Sequence, residues 1–235
     1  MIKLSIDNVD PKVYGFKFLR KEMKLPIFET FGQEWIKESF EPMIGEQKRR
    51  YTPIICYFIF SGDENNYETM KSVFIEKILR CTLKFSDSDY YYKCIFDSES
   101  KIEKIGPYNI EIGINFNIYS KIKQEVTETM NRIINKTINV AGNLETPAIV
   151  EVTPSIDLID LTINGLDEEA IILKNLKANK KLIVNGEEGT VTVDGINKYG
   201  DTDMWGFPRL KPGANTITVS KNNVDITIKY KPRYI

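Results

Sequence analysis

Histidine is absent from the 235-residue sequence. Its absence excludes Ser-His-Asp and Cys-His nucleophile activation, HExxH zinc sites and every other mechanism that needs an imidazole. Walker loops, GxGxxG fingerprints and clusters with metal-ligand spacing are also missing from the sequence. The carboxylates fall mostly at turns or at adjacent positions, whereas jelly-roll glycosidases use two carboxyl groups that face each other across a sheet. The sequence therefore predicts a protein that is not an enzyme and that uses no cofactor or metal.

Long hydrophobic runs are lacking as well. The longest one covers residues 54–60, which suits a buried strand and falls well short of the ~20 apolar residues of a membrane span. The first residues hold no apolar block of the length found in signal peptides. We therefore expect no membrane span and a protein that folds in the cytosol.

Cysteine is scarce, and neither sign of charge is in excess. Cys56, Cys81 and Cys94 include no CxxC pair, which predicts reduced, buried thiols. The formal net charge is -1, and neither half of the chain is basic. The sequence therefore offers no extended basic surface, and we expect no sequence-specific nucleic-acid partner.

The first part of the chain combines strand patterns with one helix pattern. Residues 52–60 and 90–96 are rich in β-branched and aromatic side chains, and apolar residues alternate with polar or glycine positions over 110–118. A helix is predicted over 63–79, and the segment Ser61-Gly62-Asp63 offers its N-cap. Its apolar face is expected to consist of Tyr67, Met70, Phe74 and Ile78, which recur at near-helical spacing.

The second part of the chain is typical of short strands separated by turns. Residues 121–136 contain neither Gly nor Pro and form either a short helix or an extended connection. We therefore expect this segment to link two domains, 1–135 and 136–235. Eight strand-like runs follow, with turn signals such as Asn164-Gly165 and Asn185-Gly186 between them. This density of short strands without a helical period predicts a β-sandwich or jelly roll.

Two C-terminal motifs, FPxLxPGxN and YxPR, carry a family resemblance. The motif residues are Phe207, Pro208, Leu210, Pro212, Gly213 and Asn215 in the loop, and Tyr230, Pro232 and Arg233 near the C-terminus. Pro212-Gly213 suits the centre of a type II turn, and the Asn215 side chain can hydrogen-bond nearby backbone, so we interpret the loop as structural. Together with residues 140–154, these motifs resemble the C-terminal end of phage distal tail proteins. The resemblance is specific over 137–235 and looser over 1–120.

The resemblance implies a mainly β protein with two β-rich domains. In this family an N-terminal β-sandwich or split-barrel (RIFT-related) domain with one helix forms a hexameric ring around a central channel. A C-terminal galectin-like, jelly-roll sandwich projects outward from that ring.

The resemblance also implies a function and a set of partners. The chain would be a structural component of the virion tail tip, made and folded in the cytoplasm of a bacterial host. Six copies would form a ring that joins the tail tube protein to a tail-associated tip protein. A receptor-binding protein or a host surface glycan would be a further partner.

A stand-alone carbohydrate-binding sandwich is the alternative. Trp205 is the candidate glycan contact because exposed aromatics stack on sugars, although packing within its loop is the preferred interpretation. Trp35, Phe40 and Met43 are the candidate subunit contacts because they are large apolar side chains in the polar segment 31–50. A core position for Trp35 is an equal alternative. Oligomeric state separates the two functions, since a ring is a closed cyclic assembly.

Overall fold

A computed structural model describes residues 2–32, 34–35, 37, 39–62, 64–106 and 109–235. The chain folds as two compact units, Met1–Ile122 and Lys123–Ile235. Each unit has its own hydrophobic core, which is the property that defines a domain.

The N-terminal unit is a twisted antiparallel sheet with one helix packed on it. Its described elements are β1 (Leu4–Ile6), a 3-10 helix (Pro11–Tyr14), β2 (Phe16–Met23), β3 (Phe28–Thr30), β4 (Gln47–Arg49), β5 (Thr52–Ser61), α1 (Glu64–Ile78), β6 (Arg80–Phe85), β7 (Tyr91–Lys104) and β8 (Asn109–Ile122). The strand order in the main sheet is β1-β6-β7-β8-β5-β2, and β3 and β4 pair separately. The alternation predicted over 110–118 places one face of β8 in the core, where Ile112, Ile114 and Phe116 are fully buried.

Helix α1 lies where the sequence predicts it, and three of its four predicted core residues are buried: Tyr67, Phe74 and Ile78. Met70 was predicted wrongly, because its side chain is 41% exposed. A helix turns by ~100° per residue, so Tyr67, Phe74 and Ile78 lie close together on one face of α1. Met70 lies at the edge of that buried face. Asp63, in the predicted N-cap segment, lies outside the described residues.

The three cysteines are free and buried, as the sequence predicts. Cys81 and Cys94 oppose each other on β6 and β7, with their Sγ atoms 3.6 Å apart. Burial raises the pKa of the Cys56 thiol, so this side chain is a protonated, unreactive core residue.

The C-terminal unit is a β-sandwich of two antiparallel sheets. Its described elements are β9 (Val126–Asn131), β10 (Asn135–Val140), β11 (Thr146–Pro154), β12 (Leu158–Asn164), β13 (Ile171–Leu176), β14 (Leu182–Asn185), β15 (Thr190–Val193), β16 (Ile196–Asn197), a 3-10 helix (Tyr199–Asp201), β17 (Thr202–Asp203), β18 (Arg209–Leu210), β19 (Gly213–Val219), β20 (Val224–Tyr230) and β21 (Arg233–Tyr234). One sheet has the order β10-β19-β12-β13-β17 and the other β16-β15-β14-β11-β20-β9, with β18 beside β11. The prediction of a mainly β protein with two β-rich domains, one bearing a helix and one a sandwich, is confirmed.

The segment 121–136, expected to connect two domains, contains the end of β8 and all of β9. Strand β9 pairs with β20 along its whole length, with Met130 opposite Ile226. Met130 is 1% exposed and belongs to the core of the sandwich. The border between the two units therefore lies at Ile122/Lys123, ahead of the border expected at residue 135.

Candidate subunit-contact arm and C-terminal loop

The connection between β2 and β5 is a long hairpin, residues 24–50, that we call the arm. Antiparallel pairing continues from the main sheet into it: the Lys24 N–H donates to the Pro53 carbonyl (3.0 Å) and the Ile27 N–H to the Tyr51 carbonyl (2.7 Å). Strands β3 and β4 carry the ladder onward, and Glu34 and Met43 exchange backbone hydrogen bonds of 3.2 and 2.9 Å beyond them. The arm is thus an ordered hairpin rather than a structureless loop.

Local residue choices explain how the arm closes. A Cβ atom on Gly45 would lie 1.8 Å from the Phe31 carbonyl oxygen. Only glycine therefore fits at this point, where the two sides of the hairpin come close together. At the base, a guanidinium nitrogen of Arg49 donates to the Tyr119 carbonyl of β8 at 3.3 Å. Arg50 forms an ion pair with Glu29 across the hairpin. These contacts hold the base of the arm against its own unit.

The arm carries an unusual concentration of exposed apolar side chains. They are Leu25, Ile27, Phe28, Phe31, Trp35, Phe40, Met43 and Ile44. Trp35 is 65% exposed, Phe40 is fully exposed and Met43 is 61% exposed, so the alternative of a core position for Trp35 is wrong. Burying one such side chain fully against a partner is worth about 1.5–3 kcal/mol. Exposed apolar patches of this kind mark interaction surfaces.

The C-terminal motif loop runs from Phe207 to Asn215 and joins the two sheets of the sandwich. Leu210 is fully buried, and the Pro208 carbonyl accepts the Ala148 N–H at 2.9 Å. The Asn215 side chain accepts the Lys211 N–H (2.9 Å) and donates to the carbonyls of Lys211 (2.7 Å) and Gly213 (3.0 Å). The side-chain amide of Asn215 therefore supplies partners for backbone N–H and C=O groups of the turn that would otherwise be unpaired.

The remaining motif residues form the turn before β19 or fix the C-terminal end of the chain. Gly213 has φ +90°, close to the value required at the third position of a type II turn, and Pro212 precedes it. Tyr230 is buried at the end of β20. The Pro232 carbonyl accepts the Lys123 N–H at 3.0 Å, and the Arg233 carbonyl accepts the Asn143 N–H at 3.1 Å. The chain end thus closes the sandwich against its first residues.

Trp205 does not pack into the loop core, contrary to the preferred interpretation of the sequence. Its side chain is 90% exposed, whereas Phe207, two residues later, packs against the core of the sandwich and lies 6.0 Å from the Tyr199 ring. Side chains that alternate along a strand would place both on one face, but Trp205 and Gly206 form a bend outside any strand. The sequence could not show which of the two aromatics the bend would cover.

The acidic side chains of the described residues do not gather into a metal site. Within those residues, no group of three or more Asp, Glu or Cys side chains is arranged to hold a metal ion. Many carboxylates pair with lysines instead, as Glu151 does with Lys181 (2.7 Å) and with Lys229. In the same part of the chain, the helix is too short and too polar to cross a membrane.

The structure defines a class of protein: a two-unit β protein in which one unit carries an apolar arm and the other is a closed sandwich. Residues 141–234 match the family model described as the siphovirus-type tail component, C-terminal domain. This part of the chain is therefore similar to the C-terminal domain of phage tail components. No curated protein matches the chain significantly in sequence.

Solved structures extend the similarity to the whole chain. The Dit protein of phage SPP1, described as a paradigm of hub adsorption apparatus in phages that infect Gram-positive bacteria, superposes with a TM-score of 0.80 at 14% identity, and both chains are covered completely. Two structures of the phage p2 baseplate in its activated conformation, with Sr and with Ca, give TM-scores of 0.56 and 0.53 at 14% and 15% identity. Each covers 97% of this chain and 98% of the other. At this identity the likeness establishes a shared fold over both units.

Proposed function

We propose that this protein is a non-enzymatic structural component of a phage tail tip that assembles into a hexameric ring between the tail tube and the tip. The observation that carries the proposal is the arm, which presents large apolar side chains on a unit whose own core is complete without them. Full-length likeness to a phage tail hub protein supports the same assignment. The ring would belong to the virion, and its chains would be made and folded in the bacterial host cytoplasm.

A closed ring requires a heterologous interface, in which a surface of one subunit meets a different surface of the next. The N-terminal unit offers two exposed apolar surfaces of this kind. One is the arm. The other is formed by Val13 of the first 3-10 helix and by Met70 and Val73 of α1, which are 72%, 41% and 42% exposed. We propose that the arm of one copy packs on this helix patch of its neighbour.

Light scattering after gel filtration tests the ring. Six copies of 27.1 kDa have a combined mass of about 163 kDa. Concentrated wild-type protein should form particles of this mass when alone and heavier particles when mixed with the tail tube protein, and both should show a central hole in negative stain. Phe40→Glu should shift the population to monomer, because a charge would have to be buried in the contact.

Trp205→Ala is the matched control for the arm, since it removes an exposed aromatic from the other unit. It should leave the mass unchanged. Wild-type protein that stays monomeric in both conditions would refute the ring, and a ring that forms equally well with Phe40→Glu would refute the role of the arm.

The partners of such a ring would be the tail tube protein on one side and a tail-associated tip protein on the other. A receptor-binding protein or a host surface glycan would be a further contact of the C-terminal sandwich. The stand-alone carbohydrate-binding module is the second candidate, and the 90% exposure of Trp205 favours it. A monomer that loses glycan affinity on Trp205→Ala would select that alternative.

A further inference from the structure

A cavity of about 400 Å³ opens in the C-terminal sandwich where β13 ends and β14 begins. Its volume falls within the ~300–1,000 Å³ range typical of small-molecule sites. Leu176, Leu182 and Val193 line its apolar part. Leu176 and Leu182 are 3% and 2% exposed and belong to the sandwich core, so the floor of the cavity is fixed by the fold.

The rim of the cavity holds an organised set of polar groups. Asn175 donates a hydrogen bond from Nδ2 to Oδ1 of Asp201 at 2.8 Å, and Lys198 Nζ lies 3.3 Å from the other carboxylate oxygen. The hydrogen bonds from Asn175 and Lys198 lower the pKa of Asp201, so its carboxylate is an acceptor at neutral pH. Asn175 has φ +56°, a conformation that asparagine adopts more readily than most residues. The backbone thus turns the amide of Asn175 toward Asp201.

The charges around the cavity balance. Each of its four lining lysines lies near an aspartate: Lys174 and Asp203 (3.7 Å), Lys177 and Asp157 (2.9 Å), Lys180 and Asp194 (2.7 Å), and Lys198 and Asp201 (3.3 Å). A site that attracts polyanions would need an excess of positive charge, which these pairs cancel. Two of these aspartates, Asp194 and Asp201, line the cavity themselves, so its rim offers both N–H donors and carboxylate acceptors.

A neutral saccharide has the matching chemistry. Its ring presents an apolar C–H face, which fits a floor of leucine and valine, and a border of hydroxyl groups that each donate and accept hydrogen bonds. Hydrogen bonds to charged partners are the stronger kind, and both signs of charge are present at the rim. We infer that this cavity binds a neutral saccharide of one or two rings, with Asn175, Lys198 and Asp201 as its polar contacts.

The inference rests on one part of the proposed function, the glycan contact of the C-terminal sandwich, and its failure would leave the arm and the ring untouched. It also differs from the assignment of Trp205 as a glycan contact, because Trp205 is not among the described residues that line the cavity. The two sites can therefore be separated by substitution.

Saturation-transfer difference NMR on the full chain tests the inference, since it detects weak ligands of large assemblies. The probes are glucose, galactose, N-acetylglucosamine and their disaccharides, and inorganic phosphate is added as an anionic competitor. At least one saccharide should receive saturation, and both Asp201→Ala and Lys198→Ala should raise its dissociation constant at least tenfold. Two variants are used because each removes one polar contact from an exposed rim, and their melting temperatures should match that of the wild type.

Trp205→Ala and Lys211→Ala are the matched controls, as both change exposed side chains of the same unit outside the cavity, and both should bind the saccharide as the wild type does. Four results would overturn the inference. They are saturation of no saccharide, unchanged affinity in both rim variants, loss of affinity in Trp205→Ala, and competition by inorganic phosphate at lower concentration than the saccharide.

Discussion

Phe16 of β2 and Phe74 of α1 stack with their ring centroids 4.6 Å apart and an interplanar angle of 17°. Phe58 of β5 meets the same Phe74 ring edge-on at 5.2 Å. Both strands that flank the arm are thus joined to the helix through one side chain. The position of α1 on the sheet depends on this aromatic group.

Phe74→Ala should destabilise the N-terminal unit by about 3–5 kcal/mol, the usual cost of removing a buried aromatic ring and leaving a cavity. Urea unfolding followed by circular dichroism measures the change. Glu76→Ala, at an exposed position of the same helix, is the control and should change stability by no more than about 0.5 kcal/mol. Equal effects for the two variants would contradict the packing described for α1.

Asn215→Ala should lower the stability of the C-terminal unit by about 1–3 kcal/mol. The variant removes three side-chain hydrogen bonds and leaves the Lys211 N–H and the carbonyls of Lys211 and Gly213 without their partner. Thermal unfolding measures the loss. Asn139→Ala, at an exposed position on β10, is the control and should be nearly neutral; a neutral Asn215→Ala would show that the amide is dispensable for the loop.

A fragment of residues 123–235 should fold by itself, whereas one of residues 136–235 should be less stable or aggregate. The shorter fragment lacks β9, so it exposes the edge of β20 and the core positions that Met130 covers. An unpaired, apolar strand edge is a site of aggregation. Expression of both fragments and thermal unfolding test this, and equal stability would mean that β9 is not an integral strand of the sandwich.

Acid should destabilise the C-terminal unit in part through Glu151. Burial of this carboxyl group raises its pKa, but hydrogen bonds from Lys181 and Lys229 outweigh the burial and leave the pKa below its usual value. A carboxyl group whose pKa is lowered by folding adds stability above its unfolded pKa of about 4.3, and that stability is lost as pH falls through the folded value. Glu151→Gln should therefore flatten the fall in melting temperature below about pH 4.5, and an unchanged pH profile would remove Glu151 as a cause.

Strand patterns in the sequence predict most of the sandwich and the centre of the first sheet. Residues 110–118 alternate so strictly that their placement follows from the period of a strand. Strand β9 could not be predicted in this way, because Val126 and Met130 are its only apolar residues on the face that packs inward. The hairpin of the arm could not be predicted either, because its pairing depends on turn geometry and on Gly45 rather than on a hydrophobic period.

The polar cavity could not be predicted from the sequence. Asn175, Asp194 and Asp201 come from different strands and turns, and each alone is typical of a solvated turn residue. They share a rim only because the chain crosses from one sheet to the other between β13 and β14. The exposure of Trp205 could not be predicted either, since tertiary packing decides whether Trp205 or Phe207 is covered.

The direct pairing of Met23 with Ile54 at the base of the arm separates two tasks that one polypeptide must perform. Residues 25–50 lie outside the main sheet, so they can be lengthened, shortened or exchanged without altering the register of its strands. In the proposed ring, changes in the arm would alter the contact between subunits while the folded scaffold stays constant. Related tail proteins would diverge fastest in this segment, and exchanging arms between two of them would be a direct route to chimeric rings.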